Sequence, residues 1–168
     1  MGLVSYIKNL VYNHKLNKAE KLLSEGKREK AELLFYSILD KQPYAAGKLA
    51  DYYHKLAEKA NHGDVLSLFQ KAVEIEFKGG GVYDAKSYDT AASSFASLLY
   101  QRARTCFDSG NYSDCCALLT AVNNSRWGND ITRKLRSESQ IILIFKDIEV
   151  TKSAESKYHS ISLNISII

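Results

Sequence analysis

Proline is almost missing from this chain: its 168 residues hold a single one, Pro43. The turn-dense punctuation of a β-sandwich or barrel is therefore absent, and long stretches rich in Ala, Leu, Lys and Glu stand in its place, which predicts helix. No apolar run approaches the roughly 20 residues that a membrane-spanning helix needs. Near the start, Lys8 and Asn9 interrupt Leu3, Val4, Ile7, Leu10 and Val11 before a secretory h-region forms, so the expected compartment is the cytoplasm. Only three cysteines occur, Cys106, Cys115 and Cys116. Two of them are adjacent and none makes the C-x-x-C spacing of a zinc or redox site, so reduced, packed thiols are expected.

Catalytic patterns are equally scarce. The four histidines, His14, His54, His62 and His159, are scattered without the spacing of H-E-x-x-H, and no serine or cysteine sits in a nucleophile motif. One segment comes close: Gly80-x-x-x-x-Ala85-Lys86-Ser87 is one glycine short of the phosphate-binding loop. Ala85 stands where glycine would let the backbone wrap the phosphates, Asp84 would set a negative charge beside them, and the preceding segment reads as helix instead of a parallel strand. A structural loop is the reading adopted. The expectation is a protein that is not an enzyme, with no catalytic residue, cofactor or metal.

A chain of 168 residues suffices for one domain with a core and leaves no room for a second full one. The net charge of +4 is mild. Residues 1–43 sum to +3 and residues 125–168 to +2, with a nearly neutral middle.

Within that length a period of 34 residues recurs. Leu22 pairs with Leu56, Phe35 with Phe69, Ala31 with Val65, Ile38 with Ala72, Leu23 with Ala57, and Gly26 with Ala60. In the first copy, Ala19, Leu22, Gly26, Ala31, Phe35, Ile38 and Pro43 each suit a place in a helical hairpin. Small Ala19 and Ala31 let two helices approach, Gly26 can take the positive φ that ends a helix, Phe35 fills the space between hairpins, and Pro43 stops the second helix. A second copy spans residues 45–77 around the turn Asn61-His62-Gly63-Asp64. A third, from about Tyr88 to Val122, sets Ala103, Phe107, Gly110, Cys115, Leu119 and Val122 at corresponding places. Gly79-Gly80-Gly81 and a longer first helix would absorb the extra residues before the third copy. The segment near residues 2–12 would form a separate capping helix.

This pattern over residues 12–122 resembles the tetratricopeptide repeat family. The resemblance implies a mainly α fold, a right-handed superhelical solenoid of about three α-hairpins, with a helical repeat domain over residues 1–124. It also implies an inner groove lined by the first helix of each hairpin. Transferred to this sequence, that register names Asn13, Leu16, Asn17 and Glu20 in the first copy, Ala50, Asp51 and His54 in the second, and Tyr100, Gln101, Arg104 and Asp108 in the third. Some family members clamp a terminal carboxylate with Lys and Asn. Leu16 and Glu20 hold those two positions here, which speaks against that ligand class.

Residues 125–168 read differently. Asp130 is placed to cap a short helix carrying Ile131 and Leu135. Ile141 to Phe145 is a continuous apolar run, and Ile161, Leu163, Ile165 and Ile167 alternate with Ser162, Asn164 and Ser166. Alternation predicts a β-hairpin with strands near 141–151 and 157–167; the rival is one long capping helix. Such strands would pack on the helices, begin a further domain, or pair with another chain as a homo-oligomer. The functional expectation is a scaffold or adaptor that binds a protein or peptide partner through the groove or the strand edge. The alternative is a basic helical module in which Lys8, Lys15, Lys18, Lys21, Lys27, Arg28 and Lys30 meet nucleic acid or an anionic membrane. Glu20, Glu25, Glu29 and Glu32 interrupt that basic run.

Overall fold

A computed structural model describes the backbone of residues 3–78 and 84–165, and the side chains of 4–76, 78 and 84–153. The fold is mainly α. Among the described residues there is no strand, and the helices are α1 (Leu3–Ser24), α2 (Arg28–Tyr36), α3 (Ala45–Ala57), α4 (His62–Lys78), α5 (Ala85–Asp108), α6 (Tyr112–Asn123) and α7 (Asp130–Ile165). None of them is long and apolar enough to cross a membrane. The chain divides into two compact units, residues 1–99 and 100–168, with α5 contributing to both.

In the first unit α1 packs on α2, α3 on α4, and α2 on α3. Nothing between Leu3 and Glu25 breaks a helix, so α1 is one continuous element, and the separate capping helix expected near 2–12 does not exist. Gly26 ends it at φ +74°. Gly26 N–H donates to Leu23 O at 3.0 Å and Lys27 N–H to Leu22 O at 2.9 Å, the paired closure that satisfies the last carbonyls of a helix. α2 stops at Tyr36, ahead of Pro43, and residues 37–44 continue in tight turns such as Ile38 N–H to Phe35 O at 3.0 Å. The second turn lies earlier than the sequence suggested: His62, Gly63 and Asp64 already belong to α4, and Asn61 Oδ1 caps it by accepting from Asp64 N–H at 2.9 Å. The glycines at 79–81 lie outside the described residues.

Small side chains set the spacing of this unit. Ala19, Ala31, Ala45, Ala46, Ala50, Ala57 and Ala72 are fully buried, and the large residues Phe35, Tyr53, Phe69, Tyr88 and Phe95 fill the volume between them. Phe69 meets Phe95 edge to face, with centroids 5.2 Å apart, a geometry favoured by the ring quadrupoles. Tyr88 is buried without penalty because its hydroxyl donates to Ala72 O at 2.9 Å. The 34-residue pairing has a physical meaning here, since Phe35 on α2 and Phe69 on α4 are both core residues.

In the second unit the α5–α6 turn repeats the device of the first. Gly110 sits at φ +79°, Gly110 N–H donates to Phe107 O at 3.0 Å, and Asn111 N–H to Cys106 O at 2.8 Å. Asn111 then caps α6 through Asp114 N–H. α6 packs along α7, burying Cys115, Leu118, Leu119 and Val122 near Thr132, Leu135 and Ser139. Asn129, not Asp130, caps α7. Its Oδ1 accepts from Thr132 N–H at 3.0 Å while Thr132 Oγ1 accepts from Asn129 N–H at 3.0 Å, a reciprocal capping box.

The expected C-terminal β-hairpin is corrected by α7, which runs unbroken from Asp130 to Ile165; residues 166–168 lie outside the described ones. No glycine or proline interrupts 130–165, so a helix can propagate once capped. The first turns of α7 are anchored to α6, whereas two strands alone would have lacked a sheet to join. With the strands go the strand-edge binding surface and the strand-mediated homo-oligomer.

Candidate partner-binding clefts

The apolar spacing of α3 decides what the first unit presents. Ala46, Leu49, Ala50, Tyr53 and Ala57 turn into the core, which leaves Gly47, Lys48, Asp51, His54 and Lys55 along a second side of the same helix. One cleft, between α1 and α3, is lined by Glu20, Leu23, Phe35, Lys48, Asp51, Tyr52 and Lys55, with a volume of about 200 Å³. A larger one, about 610 Å³, lies between α3 and the start of α5 and is lined by Gly47, Lys48, Asp51, His54, Asp84, Lys86, Ser87, Thr90, Ala91 and Ser94. Lys48 and Asp51 line both.

Charge alternates along this track. Lys48 Nζ reaches Glu20 Oε1 at 2.8 Å across the first cleft, and Lys55 Nζ holds Asp51 Oδ2 at 2.7 Å along α3. Asp51's hydrogen bond and charge push the Lys55 amine up from its ordinary value. The His54 ring, on the wall of the larger cleft with Ser87, Thr90 and Ser94, leans on the buried Phe95 ring with centroids 5.6 Å apart. These pairs are half exposed and contribute little to stability. They set amine donors and carboxylate acceptors side by side along the cleft walls.

Neither a protein-family model, nor a curated protein, nor a solved structure is similar to this chain. The site therefore rests on its own geometry.

The residues named from the sequence fare unequally. Glu20, Asp51 and His54 line the clefts. Leu16 and Ala50 are buried in the core. Asn13 is engaged internally: Gln42 Nε2 donates to Asn13 Oδ1, while Gln42 Oε1 accepts from Tyr44 N–H at 3.2 Å, so the pair pins the 37–44 turns to α1. Asn17 lies with His14, Lys18 and Lys21 on another recess of α1, apart from Glu20. Tyr100, Gln101, Arg104 and Asp108 belong to the second unit, where Arg104 Nε pairs with Asp108 Oδ1 at 3.1 Å and its guanidinium lies over Phe107.

Lys48, Tyr52, Lys55 and the hydroxyls of α5 escaped the sequence reading. Their signal was present as the gap in the apolar pattern of α3 at 47–48, 51 and 54–55, one helical turn apart each time. The other side of α3 does structural work. Tyr53 OH lies 3.3 Å from Tyr36 OH, Arg28 Nε pairs with Glu32 Oε1 at 2.7 Å, and Lys71 Nζ approaches both Glu32 and the Tyr53 ring. That cluster ties α2, α3 and α4 together. In the near-match to a phosphate loop, residues 79–83 lie outside the described ones, and Lys86 and Ser87 stand in the first turn of α5.

Proposed function

We propose that this chain is a scaffold or adaptor of the tetratricopeptide-like solenoid kind, holding a segment of a protein partner along the polar track of α1, α3 and the start of α5. One observation carries the reading: Lys48 and Asp51 line both clefts, so a single ligand lying across α3 meets them from either side. The paired turns at Gly26 and Gly110, and the matched core positions of Phe35 and Phe69, support the repeat architecture behind it. Alternating Glu20, Lys48, Asp51 and Lys55 suit a peptide with both backbone polarity and mixed charge more than a polyanion.

The test is affinity capture with the intact chain, followed by titration of the identified partner against Lys48→Glu and Asp51→Lys. Each reversal should weaken binding by about tenfold or more if the residue faces a buried partner charge or donor, with helicity and unfolding midpoint unchanged. A partner that binds both variants like the parent removes the track from its interface.

A second reading places α1 against an anionic membrane or nucleic acid. Val4, Ile7, Leu10 and Val11 are exposed beside Lys8, and apolar groups beside a basic one favour the membrane of those two. Binding to anionic vesicles that collapses with added salt would support it; equal binding to neutral vesicles, or none, would not.

A further inference from the structure

α7, far in sequence from the clefts, has two contrasting sides. On one side it is anchored to α6: Arg136 Nε donates to Thr120 Oγ1 at 2.8 Å, Ser139 is fully buried with its Oγ 3.2 Å from Cys115 Sγ, and Lys146 Nζ lies 4.8 Å from the centre of the Tyr112 ring. At about 3.6 residues per turn, Ile141, Ile144, Phe145 and Ile148 fall together on the opposite side of the helix. These four are 52%, 58%, 62% and 43% exposed. A stripe at i, i+3, i+4 and i+7 is the pattern of a helix-on-helix seam, and none of the described side chains of the second unit covers it.

The charges around the stripe say what does. Lys134 and Glu138 precede it on the same side, and Lys152 follows it. Laid antiparallel on a second copy with the two-fold axis between Ile144 and Phe145, Ile141 faces Ile148, Ile144 faces Phe145, and Glu138 comes beside Lys152 of the other copy, twice by symmetry. In a parallel pair Lys134 would face Lys134 and Lys152 would face Lys152, and the like charges would repel. Of Lys134, Glu138 and Lys152, the antiparallel arrangement brings opposite charges together and the parallel one like charges.

We propose that the exposed face of α7 is a homodimer interface, formed by antiparallel packing of Ile141, Ile144, Phe145 and Ile148 on the same residues of a second copy and flanked by reciprocal Glu138–Lys152 pairs. The stripe with its flanking stems offers on the order of 500 Å² per copy, at the small end of specific interfaces. The dimer is accordingly weak, with dissociation on the order of micromolar.

Sedimentation of the whole chain over a wide concentration range should show reversible monomer–dimer exchange. Phe145→Glu should raise the dissociation constant by about tenfold or more, with helicity retained because the position is exposed and Glu is a good helix former. Glu138→Lys and Lys152→Glu should each weaken self-association, while mixing the two variants, or combining both changes in one chain, should restore it. The register has its own readout. Near the two-fold axis, Ile144→Cys sits about 1.5 Å along the axis from its counterpart and should form an intermolecular disulfide, whereas Ile141→Cys is offset by about 10 Å and should not; the parent, with its three native thiols, is the control. A chain that stays monomeric, a dimer indifferent to Phe145→Glu, or equal cross-linking at 141 and 144 overturns the proposal. Loss of phosphatidylserine-vesicle binding by a monomeric Phe145→Glu variant would overturn it as well, by assigning the face to lipid.

Discussion

Replacing Gly47 by alanine should destabilise this protein, against the usual trend. A glycine inside a helix ordinarily costs about 1 kcal/mol relative to alanine, so the substitution is expected to help. Gly47 is buried where α3 meets the first turn of α5. A Cβ built there would stand 3.0 Å from both the carbonyl carbon and the Cβ of Ser87, and against its Oγ as well. The hydroxyl can rotate away, but the carbonyl carbon moves only if the backbone of α5 moves. Forcing an extra methyl into a packed contact costs about 1–3 kcal/mol, so the propensity gain is cancelled or outweighed and the net change is about 0–2 kcal/mol unfavourable. Gly47→Val should cost more, adding two methyls in a stiff rotamer. Urea unfolding followed by circular dichroism measures this directly. In a Ser87→Gly background two of the three close contacts disappear, and Gly47→Ala should then cost at least about 1 kcal/mol less, a coupling far above the additivity error of distant sites. A Gly47→Ala variant stabilised by the full helix-propensity increment, with no coupling to position 87, would refute the close approach of α3 and α5 that forms the larger cleft.

Three further outcomes are expected. Phe69→Leu and Phe95→Leu should each be destabilising, and a double-mutant cycle should return about 0.5–1.5 kcal/mol of favourable coupling for the edge-to-face pair; zero coupling by denaturant titration would remove that contact. Asn111→Ala should cost about 0.5–2 kcal/mol through loss of the α6 cap, and Gly110→Val at least about 1 kcal/mol more than Gly110→Asn because φ is +79°, both read from unfolding midpoints. Burial pushes the Tyr53 hydroxyl up from its ordinary value, with the Tyr36 hydroxyl adding to the effect. The folded state thus retains a proton that the unfolded state releases near pH 10, so the Tyr53 contribution to stability is constant below about pH 9 and is lost as pH rises through 10 and beyond. Tyr53→Phe should flatten that alkaline decline, measured as unfolding midpoint against pH.

How much was legible in advance differs from element to element. The helical character, the turns at Gly26 and Gly110, and the pairing of Phe35 with Phe69 could all be read because each depends on local chemistry or on a repeating period. The groove residues were legible only in part. Transferring a register says which helix faces inward but not which neighbouring positions stay open, and one position is about 100° of rotation. Leu16 and Ala50 are core residues, whereas Lys48 and Lys55, one turn either side of Asp51 on the same face, were not named. The bond of Asn13 to Gln42, 29 residues away, is one that no local pattern encodes.

The C-terminal segment marks the same boundary most clearly. Ile141 to Phe145 is a run of apolar residues that suits a buried strand and a helix equally, and its period alone does not choose. The choice was made by contacts from outside the run, where Asn129 and Thr132 start the helix and Thr120, Cys115 and Tyr112 of α6 hold its first turns. The sequence by itself determined that this chain is mainly helical and that it turns at Gly26 and Gly110, because glycine conformation and propensity act within a few residues. Which side of each helix stays open, and so which side chains a partner or a second copy can meet, was decided only by tertiary packing, since burial is a property of neighbours that lie far apart along the chain.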